Sequence, residues 1–223
     1  MTAALFIAAA NALASFAFAA TAAPPASSTA PLTVQVVIEN VEKLDEKLKT
    51  MTADFKQFVR WDDSGTAQAV EGTVAFKKKS LLRVEHRVPE QQTIVSDGTW
   101  LWVHRKETNQ VIQMRLEAWR KQEPLAQGLL DLGGYSALMK KYEVALTTVT
   151  ATDVEVKLEP KEGKKDFSLT LKLSRKDWFP HETSLKAGDV VVRSRFENVK
   201  LNPEIPDKTF KFAPPPGADV FQR

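Results

Sequence analysis

Four consecutive residues, Trp100-Leu101-Trp102-Val103, constrain this chain more than any others. Side chains alternate along a strand, so Trp100 and Trp102 point one way and Leu101 and Val103 the other. Both faces of that strand are apolar and both must be covered, one by protein and the other by protein or by a ligand. The strand closes a stretch from Val70 to His104 that reads as four successive strands. In the first of them Val70, Gly72, Val74 and Phe76 share one face. Asp97-Gly98 separates the last two and predicts a hairpin of type I′, whose central residues both need φ > 0.

Before this stretch, Val34, Val37, Ile38, Val41, Leu44, Leu48, Met51 and Phe55 recur mostly at steps of three and four. That period predicts an amphipathic helix with Thr33 as its N-cap. Near Met51 the period changes to two, through Ala53, Phe55, Gln57 and Val59, and a strand follows. Beyond His104 the pattern gives strands at Gln110 to Leu116, Tyr142 to Val149, Asp153 to Glu159, Phe167 to Leu173, Glu182 to Ala187 and Val190 to Leu201. Leu116 to Lys141 breaks the β pattern and predicts two short helices, one around Leu125, Leu129, Leu130 and Leu132, the other at Ala137 to Lys141. About ten or eleven antiparallel strands with two or three helices suit one large curved sheet, with the helices covering its concave side.

Residues 1 to 38 carry no charge. Met1 to Ala22 reads as a secretory signal peptide with small-x-small sites at Ala17-Phe18-Ala19 and Ala20-Thr21-Ala22, although a basic n-region is lacking. Residues 23–33 form a Pro/Ser/Thr linker. Residues 34–223 are then the folded domain, expected in the periplasm as a monomer. The chain has no cysteine, which excludes disulfides and thiolate metal sites. With 31 basic and 28 acidic residues it also lacks the dense basic footprint of a nucleic-acid binder.

Catalytic patterns are missing from the sequence. His86, His104 and His181 are scattered, and no HExxH, GxSxG, P-loop or GxGxxG occurs. Ser96-Asp97-Gly98 is explained by its turn. The expectation is a protein that is not an enzyme, with no catalytic residue, metal or cofactor.

Four segments, in order, resemble the periplasmic outer-membrane lipoprotein carrier family, LolA. Met51-Thr-Ala53-Asp-Phe55-Lys-Gln57 after a helix is similar to the family's F-x-A-x-F-x-Q strand. Gly72 to Phe76 with Leu82-Arg83-Val84 resembles its G-x-hydrophobic and K-R-P-x-x-F-R-W run. Pro89 to Trp102, containing IVSDG and L-W, is the nearest match. Phe210-Lys-Phe-Ala-Pro214-Pro-Pro-Gly217-Ala-Asp-Val220 resembles the closing F-x-F-x-P-P-x-G-x-x-V.

The resemblance implies a mainly β (α+β) fold, an incomplete antiparallel barrel of eleven strands with helices lidding a hydrophobic cavity. It implies a chaperone that takes acylated lipoproteins from an inner-membrane ABC transporter and delivers them to the outer membrane, where a lipoprotein receptor can receive them. The family's gating Arg-Pro falls at Lys78 and Lys79, and its cavity tryptophan at Val84. The expected acyl-chain face comprises Phe55, Val74, Phe76, Leu82, Val84, Trp100, Trp102, Leu129 and Leu130, with Lys78 as the gate. The competing readings are a lipid- or lipoprotein-sensing periplasmic domain and an exported lipid hydrolase. The first is expected to need a further domain and the second a nucleophile and base, which the sequence does not offer. The pathway's receptor is acylated on cysteine, which this chain lacks.

Overall fold

The computed structural model describes residues 32–122, 134–162 and 167–222. Helix α1 spans Val34–Lys47, and the Thr33 hydroxyl accepts a 3.3 Å hydrogen bond from the Val36 amide, the N-cap that the sequence predicts. Its apolar stripe buries Val37, Val41 and Leu44. The chain turns extended at Leu48 and enters β1 (Thr50–Trp61), where burial falls on odd residues because the period is now two.

The strands that follow are β2 (Thr66–Lys77), β3 (Leu81–Val88), β4 (Gln92–Asp97), β5 (Trp100–Arg105) and β6 (Gln110–Arg115). Helices α2 (Leu116–Gln122) and α3 (Tyr135–Lys141) come next. Then come β7 (Glu143–Val149), β8 (Asp153–Glu159), β9 (Phe167–Ser174), β10 (Pro180–Ala187) and β11 (Val190–Leu201). A 3-10 turn at Asp207–Phe210 and a short strand β12 (Asp219–Gln222) end the described chain.

All twelve described strands form one sheet in the order β12-β6-β5-β4-β3-β2-β1-β11-β10-β9-β8-β7. Two antiparallel meanders, β1 to β6 and β7 to β11, are joined side by side through β1 and β11. The sheet curls without closing, because its edges β7 and β12 do not pair. This is the incomplete barrel of the sequence reading with one strand more, since β12 runs parallel to β6 and adds to that edge.

Opposed residues of paired strands share a face, so the register defines an inner face. On it α1 and α3 pack against Met51, Val74, Phe76 and Leu82 from one meander and Val154, Val156, Leu158, Leu171 and Leu173 from the other. Strands so far apart in the sheet meet one pair of helices only because the sheet curls around them. Gly72 is needed here. A Cβ on it would stand 2.2 Å from the Glu85 carbonyl oxygen and 2.8 Å from the Phe55 ring, which lies across the glycine from the facing strand.

A second core lies on the outer face of β3 to β6. The chain after β11 crosses it and buries Ile205 and Phe210, while Phe212 packs on Trp102 and His104 at ring distances of 6.0 and 6.1 Å. Val95 and Val111 are sealed beneath. The β4–β5 hairpin forms as predicted, but only Gly98 takes a positive φ (+90°), not both central residues of a type I′ turn. The Asp97 carboxylate substitutes for that geometry by accepting from the Thr99 and Trp100 amides, each at 2.8 Å.

Candidate functional site

Three cross-strand rows define the inner face of the β1 to β6 meander. At the end where α1 runs into β1, the first row passes through Met51, Phe76, Leu82, Ser96, Leu101 and Met114. The second is apolar throughout: Ala53, Val74, Val84, Ile94, Val103, Ile112 and, across the parallel edge, Phe221. The third opens with Phe55 and Gly72 and then turns polar through His86, Gln92, Arg105 and Gln110. Neighbouring positions in a row are about 4.8 Å apart. The face is thus a band of alkyl surface two residues deep with a polar border.

Coverage of the inner face as a whole is uneven between the two meanders. Under α1 and α3, Val154, Val156, Leu158 and Leu173 are fully buried. On the other side Val84, Ile94, Val103 and Met114 are only half-buried, although each faces inward. An apolar surface of this kind, partly open beneath helices, can accept hydrocarbon by dispersion and water release.

Of the sequence-predicted residues, Phe55, Val74, Phe76, Leu82 and Val84 share the inner face. Leu129 and Leu130 lie outside the described residues. Trp100 and Trp102 require a correction. Ile94 opposes Val103 and Ser96 opposes Leu101, so the inward pair on β5 is Leu101 and Val103. The two tryptophans face outward, Trp102 under Phe212 and Trp100 with the Arg115 guanidinium 4.0 Å above its ring. With both sides of β5 apolar, alternation alone could not decide between them. Ile94 and Ile112 also face inward, and their sequence signal is the alternation through β4 and β6; Val103 follows only from its register with Ile94.

Lys78 sits where the gate was expected. Its ammonium donates to the carbonyl oxygens of Asp45 (2.6 Å) and Glu46 (3.1 Å), the last turn of α1, where unpaired carbonyls and the helix dipole favour a cation. The β2–β3 turn that carries it holds Lys79 and Ser80 at φ of 76° and 61°, a left-handed conformation that non-glycine residues resist. Three contacts hold it there. Lys78 reaches α1; Arg120 of α2 donates to the Ser80 hydroxyl at 2.8 Å. The third is Gly98, where any Cβ would stand 2.8 Å from the Lys79 carbonyl oxygen.

The sequence reading did not single out Asp45. Its carboxylate, buried on the flank of α1, accepts a 2.7 Å hydrogen bond from the Ser136 amide in the first turn of α3. Gly134, the N-cap of α3, offers no side chain, so α1 caps α3 in its place. Glu42 of α1 also pairs with Lys140 of α3. The two covering helices are therefore linked to each other as well as to the sheet. The clue to Asp45 was a carboxylate one helical turn after Val41, beside the apolar stripe.

The outer face carries a groove of about 310 Å³ whose lining includes Asp54, Arg83, Glu85, Asn198 and Lys200. Burial works to raise the Glu85 carboxyl. Hydrogen bonds from Thr93 and Arg83, with the charges of Arg83 and Lys106, outweigh it and hold the group below its ordinary value. A groove of paired charges has the wrong chemistry for hydrocarbon. Among the described residues no group of His, Asp or Glu side chains could hold a metal ion.

Comparison with known proteins agrees with this geometry. The family model of the outer membrane lipoprotein carrier protein LolA matches residues 46–213. The chain belongs to the LolA family. An outer-membrane lipoprotein carrier protein of Dechloromonas aromatica is 31% identical over 184 residues, covering 81% of this chain and 86% of that one. One from Halorhodospira halophila is 28% identical over 188 residues, covering 83% and 85%. Among solved structures, an uncharacterized conserved protein from Thermus thermophilus aligns at a TM-score of 0.55 with 14% identity, over 85% of this chain and 98% of that one. MucB aligns at 0.50 with 14% identity, over 80% and 62%. These two likenesses concern the fold. The matched LolA segment begins at the end of α1, includes the three rows from β1 to β6 and closes at Ala213, next to Phe212 on the outer face.

Proposed function

We infer that this protein is a periplasmic lipoprotein carrier, which binds acyl chains of lipoproteins on the inner face of its sheet and releases them at the outer membrane. The observation that carries the reading is the half-buried apolar row Val84, Ile94 and Val103, facing inward beside the part of the sheet covered by helices that a few polar contacts hold. Cargo chains lie along the first two rows, over Val74, Phe76, Leu82 and Val84, and reach Phe55 at the head of the third. Lys78 is the latch that keeps α1 down. An inner-membrane ABC transporter supplies the cargo, and an outer-membrane receptor takes it. Nothing is cleaved.

The energetics favour partial coverage. Complete burial of one long acyl chain is worth about 10 kcal/mol, at ~0.8 per CH₂. Two such chains fully enclosed would already reach the practical limit of non-covalent affinity, roughly 18–21 kcal/mol, a third would exceed it, and the cargo would never leave. A carrier therefore needs an incomplete cavity and a cover that moves. A Lys78 ammonium bonded to two carbonyls, in place of the planar fork of an arginine, makes a weaker latch.

The test incubates the purified protein with membranes holding a triacylated lipoprotein. The expected result is a soluble one-to-one complex in which the lipoprotein keeps its full mass. Failure to extract it, or loss of its acyl groups, overturns the reading.

A further inference from the structure

Beyond Phe55 and Gly72 the third row of the inner face offers no surface suited to hydrocarbon. His86, Gln92, Arg105 and Gln110 follow one another as direct cross-strand partners over β3 to β6, next to the alkyl band. Gln92 is 9% exposed. Among the described residues neither Gln92 nor His86 makes a side-chain hydrogen bond, and His86 meets only the edge of Phe55, ring centres 5.6 Å apart. The Gln92 amide atoms are not sealed and still reach water, so a cargo that covers the row must replace that water with its own acceptors or leave the amide unpaired. Such a group makes physical sense where a ligand completes it.

We propose that the His86–Gln92–Arg105–Gln110 row is a polar subsite for the ester and amide carbonyls at the junction between the acyl chains and the peptide of an acylated cargo. The proposal rests on the carrier reading above and adds an orientation to it. Those carbonyls are acceptors that enter the protein with the first carbons of each chain and lose water there. Gln92 and Gln110 each offer two amide hydrogens. The His86 ring adds an N–H donor, and burial lowers its pKa against the pull of Glu85. With the carbonyls on the third row, the hydrocarbon runs over the second and first rows toward Lys78, so the peptide leaves at the end opposite the latch. The two ends of the cavity then have separate tasks, reading the head of the cargo and gating its tails.

The test compares three probes. One is a short peptide with an S-diacylglyceryl cysteine, its two palmitoyl chains ester-linked; the second is its dialkyl ether, the same chains without carbonyls; the third is a short-chain diester phospholipid. Each binds to the full domain, wild type and a His86→Phe, Gln92→Leu double variant. The wild type is expected to prefer the ester lipopeptide over the ether about tenfold, one or two buried hydrogen bonds' worth. The double variant loses that preference, keeps its affinity for the ether, and stays as thermally stable as the wild type or gains. A preference that survives in the variant, or a variant that melts lower, makes the row structural and overturns the proposal. Equal competition by the phospholipid overturns the assignment to a lipoprotein junction. Failure of the wild type to bind either lipopeptide overturns the carrier reading itself, whereas equal binding of ester and ether leaves that reading standing and removes only the subsite.

Discussion

The Lys78 ammonium lies 2.6 Å from the carbonyl oxygen of Asp45, and the Asp45 carboxylate lies 2.7 Å from the Ser136 amide. One residue of α1 thus receives the sheet through its backbone and α3 through its side chain. If the Lys78 contact opens, the end of α1 is freed, and with it the cap on α3. Two covering helices joined in this way move together, so one latch suffices.

Replacing Lys78 with alanine removes two hydrogen bonds from a half-buried position. The expected loss is about 1 kcal/mol, a fall in melting temperature of about 2–4 °C for a chain of this size. Uptake and release of a fluorescent acyl probe should both quicken, measured by stopped flow. Unchanged kinetics at the lower melting temperature would reduce Lys78 to a helix cap.

Val84→Asp tests the apolar face. The site is half-buried on the inner side, so a carboxylate there still reaches water. The domain should stay folded at a cost of about 1–2 kcal/mol, while acyl-probe binding disappears. In a sealed core the same charge would cost several kcal/mol and unfold the chain. Thermal melting and probe titration on one sample separate the two.

Trp102→Ala should do the opposite. Its ring faces outward beneath Phe212. The expected cost is about 2–3 kcal/mol, below the roughly 3–5 of a fully buried tryptophan, with probe affinity unchanged in the folded protein. Chemical denaturation gives the first quantity and titration the second. Loss of binding at full stability would return the tryptophan to the cargo side.

Stability should also depend on pH through His86. Burial lowers its pKa in the folded state, so folding favours the neutral ring. Its unfolded value is about 6.5. Above that pH both states are neutral and the residue contributes nothing to the slope. As pH falls below it, the unfolded chain takes up a proton that the folded one refuses, and stability drops until the folded value is passed. Denaturation curves from pH 7 to 5 should decline in the wild type and run flatter in His86→Phe. Below that window Glu85 and Glu182 enter. Burial raises both carboxyls, but Thr93 and Arg83 on one and Arg195 on the other hold them low, so their stabilisation is lost as they protonate.

Local structure was legible wherever period and capping agreed. Thr33 caps α1 as predicted, the change from helix to strand falls just before Met51, and Asp153–Glu159 and Val190–Leu201 match their strands end to end. The closing family motif falls on the second core: Phe210, Phe212 and the positive-φ Gly217 bring the chain across β3 to β6 and into β12. The facing of Trp100 and Trp102 was not legible, because β5 is apolar on both sides and only its register with β4 decides. β12 was missed because four residues, all exposed, carry no periodicity to read. The polar third row was hidden for another reason. His86, Gln92, Arg105 and Gln110 are scattered in sequence and become neighbours only through hairpin register.

The segment strapped over the back of β3 to β6 has a consequence for the working cycle. A vessel that spends part of its time empty cannot owe its shape to its contents. Here the strands that hold the half-open inner surface are stiffened from behind, through Val95, Val111, Phe210 and Phe212, by a core that never meets the cargo. Filling and emptying can proceed on one side of this wall while the other keeps it standing.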